Sequence, residues 1–249
     1  MRTLNKVGLF LSTVLIVSVF TAQDANAQRR GGGRSLSGDM AIGLGISTVS
    51  AGQDDLNGAI DDAINTGANI KTLGSAWEFY ANWSYRFSGT MYAFVFRPSY
   101  FMQSTDGSGG AAGSYDYKLT GYTVFPIFRL YPLENSFIKF YMQTGLGYGS
   151  LSGSISAGAK NLDFKGSAFG AMGGIGVDFC FTDSHCLTVE GNLRYMPIER
   201  NLTTGGNCSS GDISGISQCG GSSEVERNGS DLKTTMSGVQ GLIGYTMNF

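Results

Sequence analysis

From Trp77 to Phe87 every second residue is apolar: Trp77, Phe79, Ala81, Trp83, Tyr85 and Phe87. Glu78, Tyr80, Asn82, Ser84 and Arg86 stand between them. After Ser88-Gly89-Thr90 the alternation resumes, with Tyr92, Phe94, Phe96, Pro98 and Tyr100 on one face and Ala93, Val95, Arg97 and Ser99 on the other. Side chains alternate across a strand with a period of two, so residues 76–103 predict a β-hairpin with one aromatic and one polar face. Bulk decides which face looks inward. A narrow barrel has room for modest side chains only, which suits the Gly, Ala, Ser and Thr of the polar face. Aromatic outside and small-polar inside is stable when the surroundings are hydrocarbon. A soluble calyx would need the reverse.

The same pattern recurs along the chain. A strand over 39–49 turns Met40, Ile42, Leu44 and Ile46 outward. Residues 50–75 form a long loop in which Leu56, Ala59, Ile60 and Ile64 have helical spacing, with Asp54 or Asp55 as cap. A fourth strand over 117–131 carries Pro126, which removes a ladder donor and predicts a bulge or kink there, leaving the register open on either side. Further strands are read over 139–148, 164–181, 186–195 and 239–249, with loops at 104–115, 150–162 and 197–230. That makes eight antiparallel strands with short connections after the even ones and long connections after the odd ones. Membrane barrels with short periplasmic turns and long extracellular loops show this asymmetry. The fold class is therefore an all-β, eight-stranded, up-and-down transmembrane barrel over 39–249.

The N-terminus changes the picture by naming a compartment. Arg2 and Lys6 precede an apolar run over 7–21, and Ala25-Asn26-Ala27 fits a cleavage site, so 1–27 reads as a signal peptide and 28–38 as a periplasmic lead-in. The apolar run is shorter than the roughly 20 residues a spanning helix needs. Without Arg2, Lys6 and Asp24 the net charge is near −3, which offers no footprint for nucleic acid. The 4 cysteines of an exported chain read as disulfides, paired by proximity as Cys180–Cys186 and Cys208–Cys219. With a single histidine and no CxxC, neither a metal site nor a cofactor is expected.

The segments Phe125-Pro126-Ile127-Phe128-Arg129-Leu130-Tyr131, Gly145-Leu146-Gly147-Tyr148 and Gly244-Tyr245-Thr246-Met247-Asn248-Phe249 resemble the small eight-stranded outer-membrane barrels of the OmpA, OmpX and OmpW type. The resemblance implies residence in a Gram-negative outer membrane, among its lipid and lipopolysaccharide. A terminal Phe249 resembles the signal read by the barrel-assembly machinery. The cysteine-bearing last loop and the long first loop depart from that pattern.

Inward charges are the candidate chemistry. Glu78, Arg86, Arg97, Arg129, Lys139, Asp178, Glu190 and Arg194 all fall on the lumen face. Unpaired charges in a confined interior are costly, so these should pair, and an Arg97–Glu190 bridge across the lumen is the central expectation. Outward Trp77, Tyr100, Tyr148 and Tyr195 should form an upper girdle, and Trp83, Tyr85, Phe87, Tyr92, Phe179 and Tyr245 a lower one. The Gly-rich runs 145–149 and 170–176 lack the helix a nucleotide fingerprint needs and read as interior space. Enzymatic barrels of the lipid A deacylase and omptin kinds use an outer-side histidine, whereas His185 falls in a periplasmic turn. No enzyme is expected. The expected function is a largely plugged barrel serving envelope integrity and meeting an extracellular ligand through its loops; the alternative is a narrow porin-like channel for small or hydrophobic solutes.

Overall fold

The computed structural model describes residues 39–221 and 223–249, so the signal peptide and lead-in expected over 1–38 lie outside the described residues. The elements are β1 (Asp39–Ser50), α1 (Asp54–Asn65), β2 (Ala68–Ile70), β3 (Ser75–Arg86), β4 (Tyr92–Gly109), β5 (Gly113–Glu134), β6 (Ile138–Ala157) and β7 (Lys160–Thr182). There follow β8 (His185–Tyr195), β9 (Pro197–Ile198), β10 (Asn201–Gly206), β11 (Glu226–Arg227), β12 (Ser230–Asp231), β13 (Thr234–Thr235) and β14 (Gly238–Asn248). Eight of them close an antiparallel ring in the order β1-β3-β4-β5-β6-β7-β8-β14, with β14 returning to β1. Closure leaves none of the eight strands as the free edge of an open sheet.

The short connections are made by local chemistry. At the β5–β6 turn the Asn135 carboxamide accepts from the Phe137 and Ile138 N–H groups at 2.9 and 2.7 Å, a side chain standing in for a backbone turn. The β3–β4 turn uses Gly89 at φ +70°, a conformation other residues rarely adopt. Cys180 and Cys186 face each other across the β7–β8 pair and are bonded; Cys208 and Cys219 are bonded in the last loop.

On the turn-proximal half of the wall the predicted outward residues are exposed, among them Ile42, Trp83, Phe94, Phe128 and Met142. The inward Asn82, Arg97, Arg129, Gln143 and Glu190 are buried. A contiguous apolar belt of this extent is stable against hydrocarbon rather than water. Toward the loop end the alternation keeps its period but changes sign. On β5, Tyr115, Tyr117 and Leu119 point inward and Lys118 and Thr120 outward, whereas Tyr122 and Phe128 point outward and Arg129 inward. On β7, Leu162 and Phe164 are inside and Lys165 outside, whereas Phe169 is outside and Asp178 inside. The upper barrel is thus built like a water-soluble one, apolar within.

That inversion corrects three expectations. Residues 104–115 and 150–162 are not irregular loops: β4 and β5 stay paired to Gly109↔Gly113, and β6 and β7 to Ala157↔Lys160. The interior is not uniformly small, because Tyr117, Tyr141, Phe101, Phe125 and Phe164 are its largest fully buried side chains. Rings fit where a glycine stands opposite: Tyr141 against Gly176 and Phe164 against Gly153 are cross-strand partners, and a Cβ on either glycine would strike the ring. The segment 197–230 also folds, into β9, β10 and β11, with β10 extending the sheet beside β7.

The predicted helix is α1. Its apolar face buries Leu56, Ala59, Ile60 and Ala63 in the upper core; Ile64, assigned to that face, is exposed, because the buried stripe passes through Ala63 instead. Gln53, rather than Asp54 or Asp55, holds the N-cap position. Its buried carboxamide donates to Thr235 O at 2.7 Å and accepts from Thr235 N at 2.9 Å, tying the first loop to β13. Pro126 leaves the register unchanged on both sides. The shift lies between Leu130 and Leu133, around Pro132, because Pro126 faces outward and costs only the adjacent bridges to β6.

Candidate functional site: a charged network across the lumen

Each strand contributes side chains to the lumen because its inward positions recur every second residue. β3 supplies Glu78, Tyr80 and Asn82; β4, Arg97; β5, Arg129; β6, Tyr141 and Gln143; β7, Asp178; β8, Glu190, Asn192 and Arg194; β14, Gln240. β4 and β8 are four places apart in the ring of eight, so a contact between them crosses the barrel.

Glu190 is the centre of the network. Its Oε1 accepts from Arg97 Nη2 at 2.7 Å, Arg129 Nη2 at 2.9 Å and Tyr141 OH at 2.7 Å. Its Oε2 accepts from Gln143 Nε2 at 2.7 Å and Asn192 Nδ2 at 3.2 Å. The cations are held in turn: Arg97 Nε donates to Asn82 Oδ1 at 2.7 Å, and the Arg129 guanidinium lies 3.9 Å from the centroid of the Tyr141 ring. A buried carboxylate is tolerable when ion pairs and hydrogen bonds replace its hydration, as here.

A second node lies nearer the loop end. Glu78 Oε1 accepts from Arg194 Nη1 at 2.7 Å, and Glu78 Oε2 accepts from Gln240 Nε2 and Ser47 Oγ. Arg194 Nε donates to Met236 O at 2.6 Å, anchoring the node to the segment before β14. The two nodes meet through Asn192, which accepts from Gln143 at 2.8 Å and donates to Gln240 at 3.5 Å. Asp178 sits lower, accepting from Thr188 Oγ1 at 2.7 Å.

Of the eight charges assigned to the lumen, Glu78, Arg97, Arg129, Asp178, Glu190 and Arg194 are buried. Arg86 and Lys139, a quarter exposed, line the turn-end mouth of the lumen and converge on Glu134, which sequence reasoning did not single out. Arg86 makes a two-pronged bond to Glu134 at 2.7 and 2.6 Å, and this fork holds the Glu134 carboxyl below the usual carboxylate range. The girdle residues Trp77, Trp83, Phe87, Tyr92, Tyr100, Tyr148, Tyr195 and Tyr245 are exposed on the outer wall, while Tyr85 and Phe179 are half-buried. Phe249 donates its N–H to Met40 O at 2.8 Å, joining the end of the chain to its first strand. His185 is at the β7–β8 turn, its Nδ1 2.6 Å from the Tyr245 hydroxyl.

Solved structures share this architecture. OprG from Pseudomonas aeruginosa, an outer membrane protein, superposes with a TM-score of 0.53 at 15% identity, covering 86% of this chain and 96% of that one. This chain has the fold of a small outer-membrane β-barrel. A major outer membrane protein from Thermus thermophilus superposes with a TM-score of 0.51 at 10% identity, covering 84% of this chain and 99% of that one. No family model matches the sequence. Nor does any curated protein. The barrel likeness is therefore one of backbone fold rather than of sequence.

Proposed function

We propose that this protein resides in the bacterial outer membrane as a largely closed, non-enzymatic barrel that serves envelope integrity and meets partners through its loops. The observation that supports this most is Glu190, which gathers donors from β4, β5, β6 and β8 into one bonded layer across the lumen. Above that layer the apolar face of α1 and the rings of the upper barrel fill the mouth. Ions would have to part the first and dehydrate through the second. The loops present the disulfide-closed segment between Cys208 and Cys219 at the other end from the turns. Phe249 would serve as the assembly signal on the last strand.

Planar-bilayer recordings on refolded protein test the reading: no defined conductance steps are expected, and discrete openings in the unaltered protein would sink it. Deleting 208–219 should abolish loop-mediated binding while sparing assembly. A second reading, narrow passage of small or hydrophobic solutes, draws on a cavity of about 60 Å³ at the turn end, lined by Arg86, Arg129, Lys139 and Asp178. It draws also on Arg97 Nη1 and Arg194 Nη2, buried donors without a partner among the described residues. Under that reading Glu190→Ala raises single-channel conductance; under the first it lowers stability and leaves conductance unchanged.

A further inference from the structure

The outer wall carries a groove that the lumen network does not use. β8 ends at Tyr195, and the chain rejoins the edge of β7 only at Asn201, so that edge lacks a ladder partner between Gly166 and Ala171. Beside the lower end of β10 lies a groove of about 410 Å³ whose lining includes Lys165, Arg200, Ser150, Ser167, Thr204 and Tyr148, with two cations and no carboxylate. Lys165 makes no ion pair among the described residues. Arg200 meets Glu224 and Asp231 through Nε, at 3.0 and 3.7 Å, yet its side chain stays 62% exposed. Asp163 lies one pleat farther from the belt on the same face of β7.

The position of the groove identifies its occupant. It sits where the outward face of β7 passes from charged to apolar: Lys165, Ser167, then Phe169, which is 82% exposed and packs its ring against Tyr148. Lys165 is four residues from Phe169, about 13 Å of strand at ~3.3 Å per residue, and a lysine stem can lean toward the belt while its ammonium stays in the polar layer. We propose that the groove binds the phosphorylated headgroup of a lipid in the leaflet bordering the loops. Lys165 and Arg200 pair with the phosphate, the hydroxyls of Ser167 and Thr204 complete its hydrogen bonds, and the acyl chains lie on Tyr148 and Phe169. A soluble anion would gain nothing from the rings; a membrane lipid uses both halves. The inference rests on the membrane reading above.

The test is native mass spectrometry of full-length mature protein from phosphatidylcholine nanodiscs doped with lipid A or its dephosphorylated form. Retained lipid A is expected to exceed the dephosphorylated form at least tenfold, and K165Q/R200Q should lose that preference while K118Q, an exposed cation elsewhere on the wall, keeps it. Equal retention of the two lipids, or an unchanged preference in K165Q/R200Q, overturns the proposal. So does displacement of lipid A by millimolar inorganic phosphate, which would make the site one for a free anion. Heat-modifiable gel mobility, read on the same samples, separates the two levels: a chain that folds in the disc but shows no preference sinks the lipid site alone, and one that never folds there sinks the membrane reading with it.

Discussion

Glu190 carries more of the interior than any other side chain, because two guanidinium groups depend on it. Glu190→Ala leaves Arg97 and Arg129 buried with unmet charge, and breaking such pairs costs about 3–5 kcal/mol. Urea unfolding of the refolded protein in vesicles should show that loss, and Glu190→Gln a smaller one; an unchanged midpoint would mean the pairs carry no weight. Glu134 makes a different prediction. Its carboxyl is held low chiefly by the Arg86 hydrogen bonds, so its contribution is fully present above the unfolded carboxylate value, ~4.3, and is lost as pH falls through the lower folded value. Glu134→Gln should therefore flatten the acid limb of a stability–pH profile and leave the neutral plateau's slope unchanged. The inward charges were legible from alternation alone. Glu134 was not, and neither was the grip of Tyr141 and Gln143 on Glu190, because contacts across the lumen depend on the stagger with which the ring closes.

Strands are readable wherever one face is apolar, and the sign of the alternation then says what surrounds them. The turn-proximal half of each strand was legible on this basis. The loop-end tips of β4 to β7, within 104–115 and 150–162, were read as loops because Gly and Ser interrupt them and because the apolar face moves from outside to inside partway up. Tyr115, Tyr117 and Leu119, and Leu151 and Ile155, are spaced for it in the sequence. Glycine then has two separate uses, which two variants distinguish. Gly153→Leu would drive into the Phe164 ring and should prevent the heat-modifiable folded form from accumulating. Gly191→Val, outward with nothing within 4 Å of a Cβ, should fold as well as the parent. In the last loop, the Cys208→Ser/Cys219→Ser pair should lose about 3 kcal/mol of local stability on the chain-entropy model. Limited proteolysis would show faster cleavage between those positions while the barrel bands persist.

At the scale of the whole molecule, two cores are stacked along one axis: a polar, ion-paired layer inside an apolar belt, and an apolar core inside a polar wall. Each suits a different solvent, and under the proposed membrane reading the line where they meet is where hydrocarbon gives way to water. The sequence pattern located the lower core. The upper core needed α1, β9 and the segment before β14 to be brought together from both ends of the chain, which no local period encodes.

The belt's orientation is open to one direct measurement, because the chain has only 2 tryptophans, Trp77 and Trp83, both on the outer wall. Refolded into vesicles whose acyl chains carry bromine, Trp83 in a Trp77→Phe background should be strongly quenched, while aqueous acrylamide should leave it nearly untouched. Strong acrylamide quenching with no effect of bromine would contradict the account, since the rings would then face water and the charged layer could not be the inside of a membrane barrel.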